Sequence, residues 1–285
     1  MSSRPIRAWG WILGLALGGW SVAQGQVQMS IRAKHTRYLQ YEPLTVDVTI
    51  RNEMGAPLVL DNAGEAVFAF DIEEAPGAPL PRQDRILPEP WRIEPWKSGT
   101  RTFNLVRSYP IRRQGPHRIV ARVTIGGLDF LSNRLMTDLV PGMEIASTAG
   151  LTEDGARRVF SLRTLARNRF DNVFLMIRDE AGGVSYEAQD LGTIVRFYPP
   201  QLKVSSDGTI HVLHQSAPTR FTHSVTTMDG RPVSTRFYSS SDKARVTLAE
   251  DRRGRLRPEG VSPYKGDPAV ESVRMPDTII PKKEE

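Results

Sequence analysis

The sequence predicts an all-β protein, an antiparallel β-sandwich followed by a second antiparallel β-sheet domain with meander connections. Three observations carry that expectation. Short segments alternate apolar and polar residues with a period of two, the mark of a strand with one buried face. Glycine and proline, 23 and 21 of them, fall between these segments as turn punctuation. The 3.6-residue periodicity of an amphipathic helix is almost nowhere visible.

The length of 285 residues is enough for two medium domains. With 39% hydrophobic and 25% charged residues, the chain has the composition of a folded protein rather than a disordered one. The absence of cysteine excludes disulfides, thiolate-bound metal, iron–sulfur clusters, a cysteine nucleophile and a lipoprotein anchor. A formal charge of +6 without a zinc finger, RNA-binding motif or basic helix reads as a solvated basic surface, so no nucleic-acid partner is expected.

Residues 1–25 read as a cleaved signal peptide. Arg4 and Arg7 make a positive start, Ala8 to Trp20 an apolar run too short for a comfortable membrane span, and Ala23-Gln24-Gly25 a small-residue cleavage site before Gln26. The mature chain is then expected to be exported, periplasmic or extracellular, and not membrane-spanning. Only Trp91 and Trp96 of the five tryptophans would remain.

Residues 26–145 form the expected sandwich. In Tyr41 to Asn52, Leu44, Val46, Val48 and Ile50 point one way and Thr45, Asp47, Thr49 and Arg51 the other. A turn at Glu53 to Pro57 leads to Leu58–Leu60, and Ala66 to Ile72 follows. Arg101 to Val106 alternates again. His117 to Ile125 puts Ile119, Ala121, Val123 and Ile125 on one face, and Leu128 to Arg134 comes after a Gly126-Gly127 turn. The order Tyr41-Glu42-Pro43-Leu44, alternating strand, Arg51-Asn52, Gly55, Pro57-Leu58, then Gly115 with His117 to Ala121, then Ser132-Asn133, resembles bacterial immunoglobulin-like domains of the macroglobulin and proteinase-inhibitor types. The resemblance spans about residues 28–145. It implies an immunoglobulin-like sandwich serving as spacer, adhesion unit or interaction platform, and carries over no catalytic residue.

One stretch departs from a plain sandwich. Leu87 to Gly99 contains Pro-Glu-Pro-Trp and Ile-Glu-Pro-Trp, and Pro81, Pro88, Pro90 and Pro95 argue against ladder pairing there. Trp91 and Trp96 are either exposed platforms for sugar rings or a partner, or aromatic caps on the sandwich core.

Val140 to Gly155 reads as the boundary, and residues 146–257 as the second domain. Arg158 to Leu165, Val173 to Arg178, Val184 to Ala188 and Thr193 to Phe197 are expected strands, with a turn over 166–172. Leu202 to His214 and Ala244 to Gly260 each read as strand, turn, strand. Their glycines, Gly208 and Gly254, stand about 46 positions apart, near the size of a propeller blade. Asp207 to Val212 is similar to blade hairpins of sialidase-like propellers, but about 110 residues are too few for a closed propeller, so a β-meander is expected. Residues 258–285 read as a flexible tail.

No nucleophile elbow, H-E-x-x-H, P-loop, dinucleotide fingerprint or EF-hand loop occurs. Acids such as Asp84, Glu89, Asp179, Glu180, Glu187 and Asp190 are plentiful, but sequence does not place two of them across a cleft. No catalytic residue, metal or cofactor is assigned. The leading reading is a non-enzymatic exported protein acting in protein interaction or envelope structure, with an unknown envelope or secreted protein, or a polysaccharide, as partner. The alternatives are a carbohydrate-binding accessory protein using Trp91 and Trp96, and a hydrolase or metal-dependent enzyme centred on residues 211–223.

That last segment, His211 to His223, holds three of the five histidines, His211, His214 and His223. It reads as a hairpin. His211 and His214 differ by three and so face opposite sides of a regular strand. A five-residue loop would pair His211 with His223; a four-residue loop would pair Val212 with His223 and bring His214 alongside. At most a pair of imidazoles meets, fewer than the three protein ligands zinc wants.

Overall fold

Alternation becomes strand almost wherever the sequence shows it in the computed structural model, which describes residues 26–167, 170–181, 186–240, 245–252 and 254–266. The expected signal peptide lies outside the described residues. The first half contains β1 (Val27–Ala33), β2 (Arg37–Leu39), β3 (Thr45–Asn52), β4 (Leu58–Leu60), β5 (Ala66–Ala75), β6 (Ala78–Pro79), β7 (Trp91–Ile93), β8 (Ser98–Asn104), β9 (Gly115–Ile125), β10 (Leu128–Leu131) and β11 (Leu135–Val140), with one 3-10 turn at Leu105–Arg107. The second contains β12 (Met143–Leu151), β13 (Arg157–Arg167), β14 (Phe170–Asp179), β15 (Gln189–Ile194), β16 (Gln201–Val204), β17 (Thr209–Ala217), β18 (Arg220–Thr227), β19 (Pro232–Ser239), β20 (Thr247–Glu250), β21 (Leu256–Glu259) and β22 (Ser262–Pro263). The chain is all-β, and no helix among the described residues is long and apolar enough to cross a membrane.

Two sheets, β1-β3-β8 and β2-β11-β9-β5-β6, face each other across the first core. Val46, Val48 and Ile50 of β3 meet Phe68, Phe70 and Ile72 of β5 and Ile119, Ala121 and Val123 of β9. Strand pairing among the described residues is antiparallel except that β11 runs parallel to β2; one isolated bridge, Asp61 with Val67, is also parallel. Two open edges are closed by side chains. Asn133 Nδ2 donates to the Ile31 carbonyl while its Oδ1 accepts from the Ile31 amide, at 3.0 and 2.8 Å. The buried Tyr109 hydroxyl likewise donates to the Phe70 carbonyl at 2.8 Å and accepts from its amide at 3.0 Å. Each side chain stands in for a neighbouring strand and leaves the edge backbone satisfied.

The proline-rich segment departs from expectation. Trp91–Ile93 forms a strand that pairs with β4. Pro90 and Pro95 flank it rather than interrupt it, so its amides remain free to pair.

Along the chain only Pro141-Gly142 separates the last strand of the first half from the first strand of the second, earlier than the boundary expected at 145. Most of Val140 to Gly155 is strand β12, whose small residues gave little pattern to read. Gly142 has φ +66, and a Cβ there would lie 2.5 Å from Leu39 Cδ1 and 3.0 Å from the Thr164 carbonyl oxygen. Only glycine suits both the left-handed backbone and that contact.

In the second half, β12-β13-β14-β15 packs on β16-β17-β18-β19-β22, and the hairpin β20-β21 covers the far side of the latter. Phe160, Leu162, Val173, Leu175, Ile177, Ile210 and Val212 fill the space between the sheets. Phe174, on the opposite face of β14, packs with Leu165 and Ala188 against Leu39 of the first sandwich. This strand is therefore covered on both faces, which explains the unbroken run Val-Phe-Leu-Met-Ile.

Four further expectations need correction. The 166–172 turn shrinks, because β13 runs to Arg167 and β14 starts at Phe170. Tyr186 to Ala188 is irregular, and the strand there is β15 instead. Strand β19 was not anticipated. The sheet also continues past residue 257, with Leu256–Glu259 pairing with β20 and Ser262–Pro263 with β19. Most of the expected tail, 267–285, lies outside the described residues.

Candidate ligand site around His211 and His223

The register of the β17–β18 hairpin decides which histidines meet. Leu213 stands opposite His223 and His211 opposite Val225, with a two-residue turn at Pro218-Thr219 and a bulge between Gln215 and Ala217. Neither expected register holds. The turn is tighter than the loops considered, and the bulge absorbs the extra residue. His211 and His223 are nonetheless diagonal neighbours on one face. Their rings stack at 5.1 Å and 28°, and His211 Nδ1 lies 3.0 Å from His223 Nε2. His214 points to the other face, as its spacing from His211 requires, and is buried.

The pair ends a chain of hydrogen bonds with a fixed direction. Gly208, at φ +77, turns the backbone after Asp207. Thr209 Oγ1 donates to Asp207 Oδ1 at 2.6 Å, and the Thr209 amide donates to the same oxygen at 3.0 Å. The Thr209 hydroxyl bond, first, and then this amide hold the Asp207 carboxyl below the usual range, so it is ionised and only accepts. Thr209 has thus used its proton, and it accepts from His211 Nε2–H at 2.9 Å. His211 Nδ1 is then bare and accepts from His223 Nε2–H. The carboxylate sets both tautomers and leaves His223 Nδ1 as an unprotonated acceptor without a hydrogen-bond partner among the described residues.

The electrostatics keep both rings neutral. Burial, with His211 and Arg236 adding repulsion, lowers the His223 pKa to about 4. Burial also lowers that of His211, with Asp207 opposing. Burial brings His214 to about 4, with a weaker opposing contribution from the Thr193 backbone.

His211 and His223 line a cavity of about 530 Å³ between β17–β19 and the β20–β21 hairpin. Arg236 stands directly across the β18–β19 ladder from His223, hence on the same face. Tyr238 and, from the hairpin, Arg255 and Arg257 also line the space. Arg255 and Arg257 are paired with Asp251 at 2.9 and 3.5 Å. Arg236 is exposed and has no ion pair among the described residues. Among the described residues no group of three or more His, Asp or Glu is placed to hold a metal.

The two tryptophans are not brought together as a platform. Trp91 is buried among Phe68 and Phe103, with the Arg101 guanidinium 5.3 Å from its ring. It caps the core. Trp96 is 63% exposed, on a turn with φ +62.

Sequence reasoning named the histidines but missed Asp207, Thr209 and Arg236 as their neighbours. The signal was present in Asp207-Gly208-Thr209-Ile210-His211: Thr209 and His211, two apart, must share a strand face.

Fold and site together define an all-β protein of two stacked sandwich units with a polar, arginine-lined cavity on the second. No protein-family model and no curated protein matches the chain. Solved structures with some similarity include the YadV chaperone, 11% identical, covering 74% of this chain and 98% of its own, with a TM-score of 0.24. A DUF4784 family protein from Bacteroides caccae is 9% identical, covering 82% and 84%, with a TM-score of 0.20. The periplasmic chaperone SfaE is 12% identical, covering 72% and 97%, with a TM-score of 0.20. At these TM-scores the likeness carries no argument about fold or function.

Proposed function

We propose that the protein is an exported, non-catalytic binding protein, built on an immunoglobulin-like sandwich, that engages a cell-envelope component through the second unit. The observation that supports the binding part of this reading is the hydrogen-bond chain from Asp207 through Thr209 and His211 that orients His223 at the cavity. A general base works best with a pKa near the operating pH. His223, at about 4, is a weak base at neutral pH but a permanent, oriented hydrogen-bond acceptor. Such a group suits recognition better than proton transfer.

Fractionation of cells producing the native chain, followed by capture of envelope material on the purified protein, tests the reading. Recovery in the periplasm or medium with specific retention of an envelope component is expected. Retention in the cytoplasm, or hydrolase activity abolished by His223→Asn, would overturn it.

A further inference from the structure

We infer that the cavity between β17–β19 and the β20–β21 hairpin takes an acidic saccharide unit, its oxyanion on Arg236 and a neighbouring hydroxyl donating to His223 Nδ1. The inference rests on the binding reading above and names the ligand class.

Three features converge on that chemistry. The first is Arg236, an exposed guanidinium without an ion pair among the described residues, directly across the ladder from His223. An arginine fork matches the two oxygens of a carboxylate or phosphate. Arg255 and Arg257, already paired with Asp251, add a positive rim rather than the principal contact.

The second is the bare Nδ1 of His223. A lone pair beside the oxyanion subsite repels a ligand that offers only acceptors, such as sulfate. It welcomes a ligand that carries a hydroxyl donor next to its charge. Uronic acids and sugar phosphates share that feature, and inorganic sulfate and neutral sugars each lack half of it. Because Asp207 and Thr209 fix both tautomers, this acceptor is preorganised, and binding need not pay to arrange it.

The third is size and lining. About 530 Å³ falls within the range of small-molecule sites and exceeds what a bare anion fills. The Tyr238 ring lies 6.4 Å from that of His223 and offers an apolar wall beside the polar groups.

Calorimetric titration of the purified full chain with glucuronate, glucose 6-phosphate, glucose and sulfate tests the assignment. At least one acidic sugar is expected to bind with a Kd below about 1 mM, with glucose and sulfate at least about tenfold weaker. The tighter of the two acidic sugars identifies the oxyanion as carboxylate or phosphate. Arg236→Gln, on an exposed position that does not threaten folding, is expected to weaken binding at least about tenfold. Thr209→Val is expected to weaken it while leaving sulfate unchanged. Three results would overturn the assignment: no saturable binding of either acidic sugar, sulfate binding as tightly as the sugars, or full binding by Arg236→Gln. Retention of an envelope component by a protein that binds neither acidic sugar would remove this ligand class and leave the broader reading standing.

Discussion

Glu42, on the turn between β2 and β3, and Arg167, at the end of β13, form a buried ion pair that joins the two sandwiches. The same Glu42 oxygen accepts the Leu39 amide at 2.8 Å. The guanidinium lies over Tyr38 and Phe174, 5.6 and 5.0 Å from their ring centres, but its Nε and Nη1 have no hydrogen-bond partner among the described residues. Breaking such a pair leaves a bare buried charge, whereas an apolar replacement removes both desolvation costs. Glu42→Leu or Arg167→Met alone is expected to cost about 3–5 kcal/mol, and the two together to recover most of it. Urea denaturation of the cycle checks this; strictly additive single effects would contradict it.

His214 ties stability to pH. Its pKa is lowered in the fold, from 6.5 to about 4, because burial disfavours the cation. The unfolded chain therefore binds the proton more readily between those values. The contribution is present in full above about pH 6.5 and is lost as pH falls toward 4. Its size is on the order of 3 kcal/mol. Replacing His214 with Gln should flatten the slope of stability against pH between 6.5 and 4. An unchanged slope would show that other groups dominate.

The direction of the Asp207–Thr209–His211–His223 chain is open to nitrogen-15 spectroscopy of the imidazoles. Both rings are expected as Nε2–H tautomers at neutral pH. Thr209→Val removes the acceptor for His211 Nε2–H and should produce a mixture of tautomers in both rings. A mixture already present in the unsubstituted protein would contradict the derivation.

Tyr109→Phe removes the one hydroxyl that satisfies both backbone groups of Phe70. A loss of about 1–3 kcal/mol is expected, the cost of leaving buried polar groups unpaired. Asn133→Leu opens the β1 edge at Ile31 and should promote association, read as a concentration-dependent shift in sedimentation. A monomeric variant at all concentrations would argue that β1 is protected by other means.

The contrast between these elements shows what the sequence could reveal. Strands β3, β5 and β9 were legible because each has one face in the core and one in water, so their alternation is undamped. Strand β12 was not, because its Ala, Ser, Thr and Gly side chains carry little contrast at a partly covered edge. Strands β17 and β18 are covered on both faces, so polar and apolar residues are buried alike and the pattern could not fix their register. That is why the histidine pair was legible as a possibility while its partners were not. Arg236 reaches His223 through β19, a strand with too few alternating apolar residues to announce itself.

The placement of Glu42 also imposes an order on synthesis. Every strand of the first sandwich, including β11 on its parallel partner β2, has been made by Val140. The counter-ion for Glu42 emerges only with Arg167, and the Ala188 amide that the Tyr41 carbonyl accepts comes later still. A nascent chain thus passes through a stage in which its leading domain is topologically complete but presents Leu39, Tyr41 and a lone carboxylate to the surroundings. The trailing half arrives as the lid for that surface, and a chain that has emerged only as far as a residue between 140 and 167 would display it to whatever chaperone stands nearby.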